Sequence, residues 1–223
     1  MLRPGDSEGS SLDRGSSDAR ETPGGVVRVT FLGTSLTEGL GLAQPAVEAW
    51  PARIGELADS AAIAVEILNA GIGGETSAGA LARVDWVLQG EPDVLVIETG
   101  ANDGLRGLPV GQLEANLGEI VRIVRERDPD LSVAIVQMEA PTNMGAGYTA
   151  AFHAAFPAVA ERTGVPLLPF LLEGVGGIAE LNQGDGIHPN VEGHRILARN
   201  VWPVLEPLLR AAAEAADQPA APR

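Results

Sequence analysis

The 223-residue chain has no cysteine and no lysine: all 15 of its basic residues are arginine. Without cysteine there is no disulfide, no thiol nucleophile and no thiolate metal site, and the redox state of the compartment leaves no mark on the sequence. Without lysine there is no Schiff-base amine and no phosphate-loop cation, which removes two large enzyme classes. Positive charge is in deficit, 15 basic against 30 acidic residues, for a net charge of -15. Such a surface repels phosphate backbones and anionic membranes, so nucleic acid is not an expected partner. No apolar run approaches the roughly 20 residues that span a bilayer, and residues 1–25 contain no hydrophobic signal segment. Stable membrane insertion is therefore not expected, and the chain as it stands reads as cytoplasmic.

What is present suits one α/β domain. The hydrophobic fraction of 45% is ample for a core at this length. Residues 1–25, rich in Gly, Ser, Asp, Glu and Arg, read as a flexible leader, residues 26–210 as the folded domain, and residues 211–223 as an Ala-rich tail that frays. The leader holds a decoy. Gly5-Asp6-Ser7-Glu8-Gly9 fits the nucleophile-elbow pattern, yet no strand precedes it and no helix follows, so Ser7 is set aside.

Five apolar or β-branched runs read as strands: the run into Gly33, then residues 62–68, 93–99, 132–138 and 165–168. Helical patterns follow them, at about 77–89, at 110–128 with Leu113, Leu117, Ile120 and Val124 in register, and from 191, bent or restarted near Pro203. A helix after every strand predicts a parallel sheet, right-handed crossovers and helices on both faces. Ligands of such sheets gather at the carboxyl ends of the strands. The first run ends Phe31-Leu32-Gly33-Thr34-Ser35, delivering a hydroxyl to that edge, and Ser35 is the candidate nucleophile.

A serine hydroxyl needs a base. Of three histidines, His153 and His194 lie in helical runs and read as solvated or capping residues. His188 lies in the turn-rich Asp185-Gly186-Ile187-His188-Pro189-Asn190, where Asp185 can hold one ring nitrogen while the other faces the serine. A base must be neutral to take a proton, so activity is expected to rise from acid to neutral pH. Metal ligation by Asp185 and His188 is a poor alternative, because the histidines are scattered and no further carboxylate has ligand spacing.

Four blocks in order resemble the SGNH (GDSL-type) hydrolases: Gly33-Thr34-Ser35-Leu36-Thr37-Glu38-Gly39, Asn69-Ala70-Gly71-Ile72-Gly73-Gly74-Glu75-Thr76-Ser77, Gly100-Ala101-Asn102-Asp103 and Asp185-Gly186-Ile187-His188-Pro189. The chain has Thr34 where that family usually has aspartate, which leaves Ser35 intact. Gly100 to Gly107 and Val165 to Phe170 bring it nearest the branch of acyl-CoA thioesterase I, lysophospholipase L1 and arylesterases. The resemblance implies a three-layer flavodoxin-like fold and a cofactor-free, metal-free serine hydrolase. It implies a triad of Ser35, Asp185 and His188, and an oxyanion hole made by the backbone amides of Ser35 and Gly74, favoured over Gly73, with the Asn102 side chain. Asp103 and Asn69 read as structural, and Glu75 and Arg106 as supporting or solvent-facing. Implied substrates are small acyl esters or thioesters: aryl or short-to-medium acyl esters, acyl-CoA or lysophospholipid. A carbohydrate O-acetylesterase is the alternative, and a nucleotide-binding module, using the glycine block as a phosphate cradle, the alternative of another class. Relatives in this branch are often periplasmic, which keeps an exported mature form open.

Overall fold

The structure, a computed structural model, describes residues 25–217; residues 1–24, with Ser7, and 218–223 lie outside the described residues. The β-branched run that opens the described chain becomes the interior strand β1 (Val27–Gly33). It lies between β2 (Val65–Gly71) and β3 (Val94–Ile97), with β4 (Ser132–Val136) and β5 (Leu167–Leu168) beyond β3. The order is β2-β1-β3-β4-β5 and every pairing is parallel. All four residues of β3 are buried, as a strand covered on both faces requires. The edge strand β2 alternates between exposed and half-buried along most of its length.

Two short helices, α1 (Ser35–Glu38) and α2 (Pro45–Glu48), precede α3 (Trp50–Ser60). The others are α4 (Ser77–Val87), α5 (Ala101–Leu105), α6 (Val110–Arg127), α7 (Ala146–Thr163) and α8 (Val191–Ala216). The connections leave β1 in opposite directions across the sheet, so right-handed crossovers send them to opposite faces. Accordingly α3 packs with α8 on one face, and α4, α6 and α7 pack in sequence on the other. Trp50 is wholly buried as a packing residue, edge-on to Phe31 at 4.8 Å between ring centroids.

Two elements differ from the sequence pattern. β2 lies at 65–71 rather than 62–68, because Ala62 takes a left-handed turn (φ 57°) after α3 and the pairing with β1 continues until Gly33 meets Gly71. α8 neither restarts at Pro203 nor ends near 210. It passes through Pro203 and Pro207 to Ala216, with Leu197, Val201, Leu205, Leu209 and Ala213 buried along one stripe. An interior proline costs about 3 kcal/mol, and continuous burial of that stripe offsets it. Among the described residues, no helix is long and apolar enough to cross a membrane.

Between β1 and β3 the strand order reverses direction, the point at which sheets of this kind receive ligands outside the carboxyl ends of the strands. Leu32 pairs with Ile97 and Gly33 with Gly71, so the segments after β1, β2 and β3 leave the sheet together. Three of the four blocks are those segments.

Candidate active site

The turn carrying Ser35 is built on close contacts that only small residues allow. A Cβ on Gly33 would lie 2.1 Å from Thr37 Oγ1, and one on Gly71 would lie 2.1 Å from the backbone nitrogen of Glu38. Thr34 is extended, α1 starts at Ser35, and Gly39 ends it with the left-handed φ of 77° that glycine accommodates. Beneath the turn lies Glu98, fully buried just past β3. The Thr34 N–H donates to Glu98 Oε2 (2.9 Å), its hydroxyl to both carboxyl oxygens, and the Thr37 hydroxyl to Oε2 (2.8 Å). Burial pushes the Glu98 carboxyl up to about 7, against the pull of these hydrogen bonds.

Ser35 is 9% exposed, and its Oγ lies 2.9 Å from His188 Nε2. The other ring nitrogen, Nδ1, lies 2.7 Å from Asp185 Oδ2. Asp185 Oδ1 accepts from the N–H groups of Ile187 (2.9 Å) and His188 (3.0 Å), so one carboxylate folds the turn and holds the ring. The hydrogen bond from His188, then those two backbone donors, hold the Asp185 carboxyl far below the usual range. The cap of α8 is a different residue, Asn190, whose side chain accepts from Glu192 and Gly193 N–H. Gln183 ties this loop down: its side-chain amide donates to the carbonyls of Leu40 (2.8 Å) and Pro189 (2.9 Å).

The N–H groups of Ser35 and Gly74 carry no hydrogen bond among the described residues. Gly74 sits at φ 75°, a glycine conformation, and its carbonyl accepts from Arg106 Nη2 (2.8 Å). Asn102, in the first turn of α5, gives one Nδ2 hydrogen to the Glu75 carbonyl (2.9 Å), leaving the other free. Asn69 bridges the Thr37 carbonyl (2.6 Å) and the Gly71 N–H (2.9 Å). Buried Asp103 accepts from the Ser77 N–H (2.8 Å) and hydroxyl (2.6 Å). Among the described residues, no group of three or more His, Asp or Glu is arranged to hold a metal ion.

The structure thus brings Ser35, His188 and Asp185 into one hydrogen-bonded line, with the glycine and asparagine blocks at the same sheet edge. His153 is exposed and pairs with Glu139 at 2.5 Å. His194 differs from its expected solvated or capping place. It is buried, and its Nδ1 accepts the Trp50 N–H (3.1 Å). Position 194 falls on the buried stripe of α8 with 197, 198 and 201, a spacing visible in the sequence. Burial, then the charges of Arg53 and His188, lower its imidazole to about 4. The segment after β4 is tied to the turn after α5 through the Tyr148 hydroxyl, which donates to the Leu108 carbonyl (2.8 Å).

Sequence reasoning missed three side chains that hold the segments around the site: Glu98, Gln183 and Arg83, whose Nε donates to Glu75 Oε1 of the glycine block (2.7 Å). A lone carboxylate ending an apolar buried strand was a usable signal for Glu98, since a buried carboxyl must find donors. Gln183 and Arg83 gave no such signal.

The esterase TesA of Pseudomonas aeruginosa is 39% identical over 179 residues, covering 80% of this chain and 87% of the relative. Thioesterase 1/protease 1/lysophospholipase L1 of Escherichia coli K12 is 36% identical over 180 residues, covering 80% and 83%. A crystal structure of TesA superposes with a TM-score of 0.76 at 38% identity, over 81% of this chain and 99% of that one. Fold, blocks and relatives agree with the family profile that matches residues 31–196: the chain belongs to the GDSL-like lipase/acylhydrolase family.

Proposed function

We propose that the protein is a serine hydrolase of carboxylic esters or thioesters, working through an acyl-enzyme on Ser35. The observation that supports this most is the unbroken path from Ser35 Oγ through the His188 ring to Asp185, at 2.9 and 2.7 Å. His188 Nε2 takes the proton as Oγ attacks the carbonyl carbon, and returns it to the leaving group as the tetrahedral intermediate collapses. Asp185, held ionised, fixes the Nδ1–H tautomer and stabilises the imidazolium. Water then repeats the cycle against the acyl-enzyme. Charge on the carbonyl oxygen is met by the N–H groups of Ser35 and Gly74 and the free amide hydrogen of Asn102.

Relatives named as an esterase and as a thioesterase and lysophospholipase support ester and thioester substrates; within that class the proposed substrates are aryl or short-to-medium acyl esters, acyl-CoA and lysophospholipid. Hydrolysis of a p-nitrophenyl ester series, from acetate to long acyl chains, by the wild type and Ser35→Ala in parallel tests the reading. Turnover is expected from the wild type alone, and the preferred chain length reports the depth of the acyl site. A Ser35→Ala variant that matched the wild type would overturn the assignment of the nucleophile.

A further inference from the structure

We propose that Arg83 is a positioning residue of the oxyanion hole, holding in one place the three segments that supply its donors. The inference rests on the reading of Ser35, Gly74 and Asn102 given above. Arg83 reaches from the second turn of α4 back beneath the glycine block, and its side chain is only 14% exposed. Its Nε donates to Glu75 Oε1 (2.7 Å) and its Nη2 to Glu75 Oε2 (2.7 Å), a two-point fork on a carboxylate that is itself 9% exposed. The same Nη2 reaches the carbonyl of Ala70 (2.7 Å), near the end of β2, and that of Gly33 (3.3 Å), the last residue of β1.

The Gly33 and Glu75 contacts lead to the donors, and the Ala70 contact holds the end of β2 from which the glycine block leaves. Gly33 stands two residues before the Ser35 N–H. Glu75 is bonded to Gly74, and the Glu75 carbonyl is the acceptor that fixes the Asn102 amide. One guanidinium therefore ties the end of β1 to the end of β2 and the glycine block that follows it, and reaches the Asn102 segment after β3 through Glu75. No other side chain offers a planar fork together with a further donor to two carbonyls, and a lysine ammonium could not reproduce it. The Glu75–Arg83 pair is largely shielded from water, so its geometry is not loosened by competing solvent as an exposed pair would be. Donor placement matters because the hole must fit the oxyanion of the transition state rather than the ground-state carbonyl.

The test compares wild type, Arg83→Lys and Arg83→Ala on p-nitrophenyl acetate. In a folded Arg83 variant kcat is expected to fall about tenfold or more while KM stays within about threefold, the pattern of an interaction realised in the transition state. Added methylguanidinium should restore part of the kcat of Arg83→Ala, and urea at the same concentration should not. If Arg83→Ala fails to fold, Arg83→Lys decides by the same kcat and KM criterion. The backbone amide NMR signal of Gly74 and the side-chain amide signals of Asn102 give a readout without turnover. They should shift in Arg83→Lys while those of the distant end of α8 hold. Unchanged kcat together with unchanged signals would overturn the proposal. A wild type inactive on every ester would instead count against the hydrolase reading, leaving the amide signals to judge the role of Arg83.

Discussion

The Thr34 hydroxyl stands 3.0 Å from both carboxyl oxygens of Glu98, a residue 64 positions away that also takes the Thr34 N–H and the Thr37 hydroxyl. Where the family usually has aspartate before the serine, this chain sets a neutral donor against a buried carboxyl. An aspartate there would place two carboxyl groups in contact, and one would have to stay protonated. Threonine removes that conflict and leaves the carboxyl as the hub of the nucleophile turn.

Glu98 gives stability a definite pH signature. Its carboxyl titrates at about 7 in the folded state against 4.5 as reference, so the unfolded chain releases its proton first as pH rises. The contribution is fully present below about 4.5 and is lost as pH rises through about 7, a change on the order of 3 kcal/mol. Urea unfolding of the wild type and Glu98→Gln across this range should show the wild type losing stability relative to the variant. A gap that did not vary with pH would contradict the assignment.

His194 should act with the opposite sign. Its imidazole is lowered from 6.5 to about 4, so as pH falls through that window the unfolded chain takes up a proton that the folded one refuses, and stability is lost. His194→Asn keeps an acceptor for the Trp50 N–H and removes the titration. It should flatten the acid limb of the stability curve between about 6.5 and 4. In the wild type the slopes from His194 and Glu98 oppose each other over part of this range, so the single variants are needed to separate them.

Asn102→Ala should lower kcat by about a hundredfold or more, roughly 3 kcal/mol of transition-state stabilisation, with KM little changed. The substitution also frees the Glu75 carbonyl. Steady-state kinetics on one p-nitrophenyl ester reads both constants, and near-normal kcat would remove Asn102 from the oxyanion hole.

Two glycine substitutions should differ in sign. A Cβ on Gly71 meets the backbone of Glu38 and Thr37 at 2.1 to 2.7 Å, which no rotamer relieves, so Gly71→Ala must displace α1. Both the thermal midpoint and kcat should fall. Gly111, near the start of α6, has open space where a Cβ would stand, with nothing within 4 Å, and Gly111→Ala should stabilise by up to about 1 kcal/mol without changing kcat. Thermal unfolding with parallel assays checks the pair.

The sequence by itself determined the alternation of strands and helices, hence a parallel sheet, and the residues delivered to its carboxyl edge. It also marked Asp185 and His188 as one turn, because a carboxylate three residues before a histidine in a Gly- and Pro-bounded loop is local chemistry. These features are written in windows of a few residues: hydrophobic period, turn formers and breakers. Only the tertiary structure decided what lies underneath. Glu98 meets Thr34 and Thr37 across 61 to 64 residues, His194 meets Trp50 across 144, and Arg83 joins Gly33 at the end of β1 to Ala70 and Glu75 of the glycine block. A buried polar side chain has to find partners, but which ones depends on strand order and register, and those follow from packing the whole chain at once.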